Sequence, residues 1–203
     1  MKNEAIIRSR NEIQVKKFVL LVSILVGLLI ILTAFVKIPI YFDSPFILIF
    51  CYVSLAPILI YIVGIMFRPW IAFVICALGS VLGIWLDCLI FGCGIELPMY
   101  LATILIAHGL EGPIISKYRE KKKEMWAMYI GCAWEFFWLG SMGLTWYVAI
   151  LGWADISGFA YVFAYTMTIG IFSVIFIPVA FYLNKLLRGK LNVKNFDELL
   201  ELK

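Results

Sequence analysis

FILIFCYVSLAPILIYIVGIMFRPWIAFVICALGSVLGIWLDCLIF, residues 46–91, carries charge only at Arg68 and Asp87. A bilayer core about 30 Å thick is crossed by about 20 apolar residues as a helix, so this run has the length of two crossings. Phe67-Arg68-Pro69 divides it, because Arg and Pro together punctuate a tight turn. The alternative at that point is a single bent or re-entrant segment.

The rest of the chain follows the same pattern. Of 203 residues, 64% are hydrophobic and 15% charged, whereas soluble domains are about half apolar and about a quarter charged. A soluble fold of this length has nowhere to hide that much apolar surface, so the composition points to an integral membrane protein. Six segments are long enough to span: Phe18–Val36, Pro45–Met66, Trp70–Phe91, Leu97–Ser116, Trp126–Gly152 and Phe159–Leu183. The expected architecture is all-α, a compact bundle of six transmembrane helices over residues 18–183. Tails at 1–17 and 184–203 flank it, and NVKNFDELLELK in the second has the pattern of a short amphipathic helix. The first apolar run exceeds a signal-peptide core and lacks a small-x-small cleavage site, so it is read as the first helix.

Six crossings put both tails and the even-numbered loops on one side. Lys37 is then alone among 17 basic residues in facing the other. The positive-inside rule predicts cytoplasmic N- and C-termini in a multi-pass protein of the cell membrane. The basic clusters are read as topology signals next to membrane lipid, with no nucleic-acid partner. Cys51, Cys76, Cys88, Cys93 and Cys132 lack zinc-type spacing. Cys88 and Cys93 have the option of a disulfide, but burial as small apolar thiols is the expectation. No internal repeat, Walker sequence, Ser-His nucleophile arrangement or HExxH is present, which leaves an ATPase or protease acting alone without support. No cofactor or metal is expected.

Ionisable residues at membrane depth are costly, at least about 2.5–3.5 kcal/mol on insertion scales, and therefore informative. Asp87, Glu96, His108, Glu111 and Glu135 fall in that class, and no Lys or Arg lies in a helix interior to match the acids. Helical spacing gathers stripes: Cys76, Ser80, Gly83 and Asp87; Glu96, Tyr100, Thr103, Ala107 and Glu111; Glu135, Trp138, Met142, Trp146, Ala149 and Trp153; Tyr161, Tyr165 and Thr168. Each has a plainer reading. Trp153 and Tyr161 fit an interfacial belt, while Trp146 and Tyr165 divide between binding and packing. Asp87 and Glu96 fit the outer headgroup zone as well as a site. Glu111 is expected to pair with Lys117 or cap local structure. His108 with Glu111 forms a structural pair, since two ligands do not make a metal site. Glu135 lies roughly 13 Å inside its helix, as a cavity floor or interhelical anchor.

The stretch FVKIPIYFDSPFILIFCYVSLAPILIYIVGIMFRPWIAFVICALGSVLGIWLDCLIFG, residues 35–92, resembles the S components of energy-coupling factor (ECF) vitamin transporters. Shared features are the Pro- and aromatic-containing outer loop, the short Phe-Arg-Pro turn and the Gly-rich third helix ending in an acid. The resemblance implies a substrate-capture subunit without enzymatic activity, working with a transmembrane T subunit and two ATP-binding subunits. It implies a site near the extracellular side under the first outer loop, with Tyr41, Phe42 and Asp43 in that loop. The stripes add Asp87, Glu96, Tyr100, Glu135, Trp138, Trp146, Tyr147, Tyr161 and Tyr165. Rings with acids suit a small aromatic, neutral or cationic compound, such as a thiamine-like one. Ser23-x-x-x-Gly27 matches the spacing through which such subunits dock on T. The competing expectations are a membrane-embedded enzyme using Glu135 or His108 with Glu111, and a structural or assembly protein.

Overall fold

The computed structural model describes residues 2–43, 48–92, 97–119, 121, 123–151 and 156–191. Among these, the side chains of 2–14, 42–43, 48–51, 97, 147–151, 156–159, 161–162 and 191 lie outside the description. The elements run α1 (Lys2–Ala34), β1 (Lys37–Asp43), β2 (Leu48–Ser54), α2 (Ala56–Met66), α3 (Pro69–Phe91), α4 (Leu97–Arg119), α5 (Glu124–Leu151) and α6 (Ile156–Leu191). Stretches long and apolar enough to cross a membrane occur in four of them, at Val15–Ala34, Pro69–Phe91, Pro98–Arg119 and Phe163–Lys190. α5 has the length, 28 residues, but its Trp, Tyr, Ser, Gly and Glu content leaves it less apolar than those four stretches. The molecule is a helical membrane protein.

The second expected crossing is where sequence and structure part. A helix was expected over Pro45–Met66, yet Leu48–Ser54 is a strand paired antiparallel with Lys37–Asp43, from Lys37 opposite Ser54 to Asp43 opposite Leu48. The fold is thus not purely α. Ile, Val, Tyr and Phe crowd both strands, and these are residues that fit a pleated surface. Pro39 is tolerated because a two-stranded sheet consists of edges, where a missing N–H costs nothing. Hydropathy hid the strand because strand and buried helix are equally apolar. The two faces do differ: Val53 is buried and Ile38 and Ile40 pack on the core, while Tyr41 and Tyr52 are 63% and 52% exposed.

What remains of the second segment, α2, has 11 residues, about 16 Å against a core of about 30 Å. It is too short to cross alone. Every α2 residue except Ile58 is buried, as expected of a helix apolar all round. It contacts α3, α4, α6, α1 and α5. The other helices wrap it in the order α1–α3–α4–α5–α6, each packed on the next.

Small residues permit this enclosure, as they do between membrane helices generally. A Cβ at Gly79 would come within 2.7 Å of Leu29, and one at Gly83 within 2.6 Å of Thr33, so α3 meets α1 at near-backbone distance. Ile115 of α4 fills the space left by Gly64 of α2 and Gly131 of α5.

The two ends of the bundle differ. At one, the basic end, the last carbonyls of α2 find cationic and hydroxyl donors. Arg119 donates to the Ile65 carbonyl, and Ser116 Oγ donates to the Phe67 carbonyl at 2.6 Å. Arg188 reaches Met66 Sδ at 3.2 Å and ion-pairs with Glu124. Helix C-termini leave carbonyls unpaired and favour positive charge, so these contacts finish α2 inside the protein. At the other, the hairpin end, Ser54 Oγ donates to Leu32 O at 2.9 Å and Leu55 N–H to Val36 O at 3.2 Å. Lys37 ion-pairs with Asp87 there, and Gly92, at φ 81°, closes α3 in a left-handed conformation suited to glycine.

α1 is helical from Lys2 and α6 continues to Leu191. The segment NVKNFDELLELK lies outside the described residues.

Candidate functional site: a buried polar centre beside an aromatic pair

Three buried polar side chains meet between α3, α4 and α5. His108 Nδ1 lies 3.0 Å from Ser80 Oγ, and its Nε2 lies 3.1 Å from Glu135 Oε1. Ser80, His108 and Glu135 each sit 11 residues from the basic-end terminus of their helices, at Pro69, Arg119 and Glu124. At 1.5 Å per residue that is about 16 Å, half of a bilayer core. Ser80 is fully buried, Glu135 is 2% exposed and His108 is 7% exposed. A carboxylate at this depth is tolerable when hydrogen-bonded to an imidazole, because removing it from water unpaired costs several kcal/mol, roughly. Glu135 is therefore an interhelical anchor, one of the two roles its position suggested.

Glu111, one turn below on α4, has no such arrangement. It is fully buried and neither carboxyl oxygen has a hydrogen-bond partner. Its Cγ packs against α5 at Gly131, where an added Cβ would lie 3.2 Å away, and it is close enough to Glu135 for the two to interact electrostatically. The expected pairing with Lys117 does not form; Lys117 is exposed. The expected His108–Glu111 pair is likewise replaced, since His108 turns across to α5 and bonds Glu135 instead. Tyr61 of α2 closes the centre from inside the bundle, donating its hydroxyl to Ser173 O of α6 at 3.2 Å.

At the depth of Glu135 and one turn toward the hairpin end, α5 presents rings. Trp134 and Trp138 stack with centroids 5.7 Å apart and planes 13° apart. Both indole N–H groups are buried without an acceptor. Higher on the helix, Trp146 donates from Nε1 to Thr103 Oγ1 of α4 at 2.9 Å, and Thr103 itself donates to Met99 O at 2.9 Å.

The other expected site residues divide. Asp87 does not offer a free charge, because Lys37, fifty residues away, pairs with it from the base of β1. The absence of basic residues within helices had pointed to an unmatched acid; a strand residue supplies the match. Tyr41 is 63% exposed, on the hairpin face opposite Ile38 and Ile40, and Tyr100 is 46% exposed. Tyr165 is half-buried against the core. Glu96 lies outside the described residues, and Asp43, Tyr147 and Tyr161 lie outside the described side chains. Ser23 is exposed and nothing lies within 4 Å of a Cβ at Gly27, so that face of α1 is open.

Cys88 corrects another expectation: it is disulfide-bonded, whereas Cys76 and Cys132 are free buried thiols. Among the described residues, no three His, Cys, Asp or Glu side chains gather as metal ligands. Ser80, Thr103, Tyr61 and Trp134 belong to the centre and band but were not singled out as site residues. The place of Ser80 in the small-and-polar stripe with Cys76, Gly83 and Asp87 was the available signal for the first.

No family model, curated protein or solved structure matches the chain.

Proposed function

We propose that the chain is the substrate-capturing membrane subunit of an ECF-type importer. It would take a small aromatic compound from the extracellular side and deliver it with a T subunit and two ATP-binding subunits. The observation that carries this reading is the Trp134–Trp138 stack, with two buried indole donors lacking acceptors. Ring faces plus unpaired N–H groups suit an aromatic ligand bearing acceptor atoms. The basic residues favour cytoplasmic termini, which puts the hairpin end and Trp146 outside.

Pairing within the protein shifts the substrate class. Asp87 is ion-paired by Lys37, and Glu135 is buried and hydrogen-bonded to His108, which leaves less free acid to attract a cation. A neutral heteroaromatic vitamin or precursor suits the band better than the thiamine-like cation that the acids alone suggested. The enzymatic alternative gains less: Glu111 and Glu135 do approach, but among the described residues no third metal ligand joins them, and His108 is engaged by Ser80 and Glu135. Thermal-shift and native mass-spectrometric screening of the purified protein against vitamins and precursors tests the proposal. A stabilising ligand lost in Trp138→Ala, together with co-purification of a co-expressed T subunit, is expected. Absence of both would remove transport from consideration.

A further inference from the structure

We propose that Glu111, with the Ser80–His108–Glu135 chain beside it, forms a proton-binding site at the depth of the membrane centre, with Glu111 as the residue that holds and exchanges the proton. The inference does not rest on the transport reading and is tested without substrate.

Two independent observations carry it. The first is the burial of Glu111: no exposure and no hydrogen bond to either oxygen. An ionised carboxylate so placed would bear a desolvation cost with nothing to offset it, whereas a carboxyl that keeps its proton needs no countercharge. The second is the neighbouring chain, which tolerates either protonation state without moving a heavy atom. With a neutral imidazole, Nε2–H donates to Glu135 and Nδ1 accepts from the Ser80 hydroxyl. With imidazolium, both ring nitrogens donate and the hydroxyl rotates to accept, since Ser can do either. The 3.0 and 3.1 Å contacts serve both states.

The surroundings favour a proton over a metal cation. A cation would need further ligands, and no three His, Cys, Asp or Glu side chains gather among the described residues. The titratable groups acting on this centre are Tyr61 from α2, Cys76 from α3, and Cys132 and Glu135 from α5. None of them is cationic. Among the described residues, the His108 imidazole is the one basic group bonded to the cluster, and its bonds go to Ser80 and Glu135. Proton binding here forms an O–H bond on Glu111 and removes one negative charge from the pair of carboxyls; release reverses both. Two like charges side by side in a low dielectric are thereby avoided.

Infrared spectroscopy of the full-length protein in lipid vesicles tests this, because a protonated carboxyl has a C=O stretch resolved from amide and carboxylate bands. At neutral pH such a band is expected in wild type, unchanged in Glu124→Gln, absent in Glu111→Gln, and shifted after transfer to heavy water. Should Glu111→Gln fail to fold, Glu111→Asp keeps a protonatable group and is expected to displace the band. A band that survives Glu111→Gln, or fails to move in Glu111→Asp, overturns the assignment. A band that vanishes in Glu111→Gln yet neither shifts in heavy water nor titrates in wild type also overturns it, since the proton would then be a fixed structural one.

Discussion

Replacing His108 by Leu should be the most damaging single change in the buried centre, and the reason is an asymmetry. His108 bonds Glu135 at 3.1 Å and Ser80 at 3.0 Å, and all three side chains are buried. Ser80→Ala deletes one neutral contact. Interhelical hydrogen bonds in membrane proteins average about 0.6 kcal/mol and reach about 1.7, so a loss near 1 kcal/mol is expected. Glu135→Gln keeps an acceptor oxygen for the imidazole and should cost about the same. His108→Leu instead leaves Glu135 buried without its partner, a situation that costs about 3–5 kcal/mol when the survivor is charged. The double variant His108→Leu/Glu135→Leu removes the stranded acid and should recover much of that loss, giving a large coupling in the cycle. Equilibrium unfolding of wild type, His108→Leu, Glu135→Leu and the double variant in mixed detergent–SDS micelles, followed by far-UV circular dichroism, supplies the four free energies. The reasoning fails if His108→Leu costs no more than Ser80→Ala, or if the double variant is as unstable as the sum of the singles.

Glycine substitutions separate packing from docking. Gly83→Leu drives a side chain into Thr33 and Gly79→Leu into Leu29; overpacking of this kind typically costs about 1–3 kcal/mol, read as a lower thermal midpoint of the purified protein. Gly27→Leu meets nothing within 4 Å and should leave that midpoint unchanged, while abolishing co-purification with a T subunit if α1 docks there. The Lys37–Asp87 pair is only partly buried, with side chains 23% and 19% exposed. Asp87→Asn should therefore cost about 1 kcal/mol or less, and double-mutant cycles at low and high salt should show a coupling that weakens with salt. Ser116→Ala unpairs the Phe67 carbonyl from its 2.6 Å donor at the end of α2. Amide exchange in α2 should accelerate relative to α3, because the short helix is held chiefly at its ends and by its walls.

Composition and run lengths were enough to make this a membrane protein. They also located α3, α4, α5 and α6 to within a few residues at most ends: Pro69–Phe91 against an expected Trp70–Phe91, for instance. Such segments are legible because a helix facing lipid must be apolar along its whole length, whatever it packs against. The ionisable residues at depth were legible for the same reason, since hydrocarbon makes any such residue conspicuous. Their partners were not. Lys37 and Asp87 stand 50 residues apart, and His108 and Glu135 stand 27 apart. Which of two acids an imidazole bonds depends on how the helices turn toward one another, and Glu111, nearer in sequence, lost to Glu135 for that reason. The hairpin was hidden by the same property that revealed the membrane: residues 48–66 are apolar as strand or as helix, and hydropathy has no period to report when the exposed face of the strand is itself made of apolar and aromatic residues such as Tyr52. Only packing could decide that Leu48–Ser54 pairs with Lys37–Asp43 while Ala56–Met66 becomes an enclosed helix of 11 residues. That choice rests on α1 and α3 closing to glycine distance and leaving the centre of the bundle for α2.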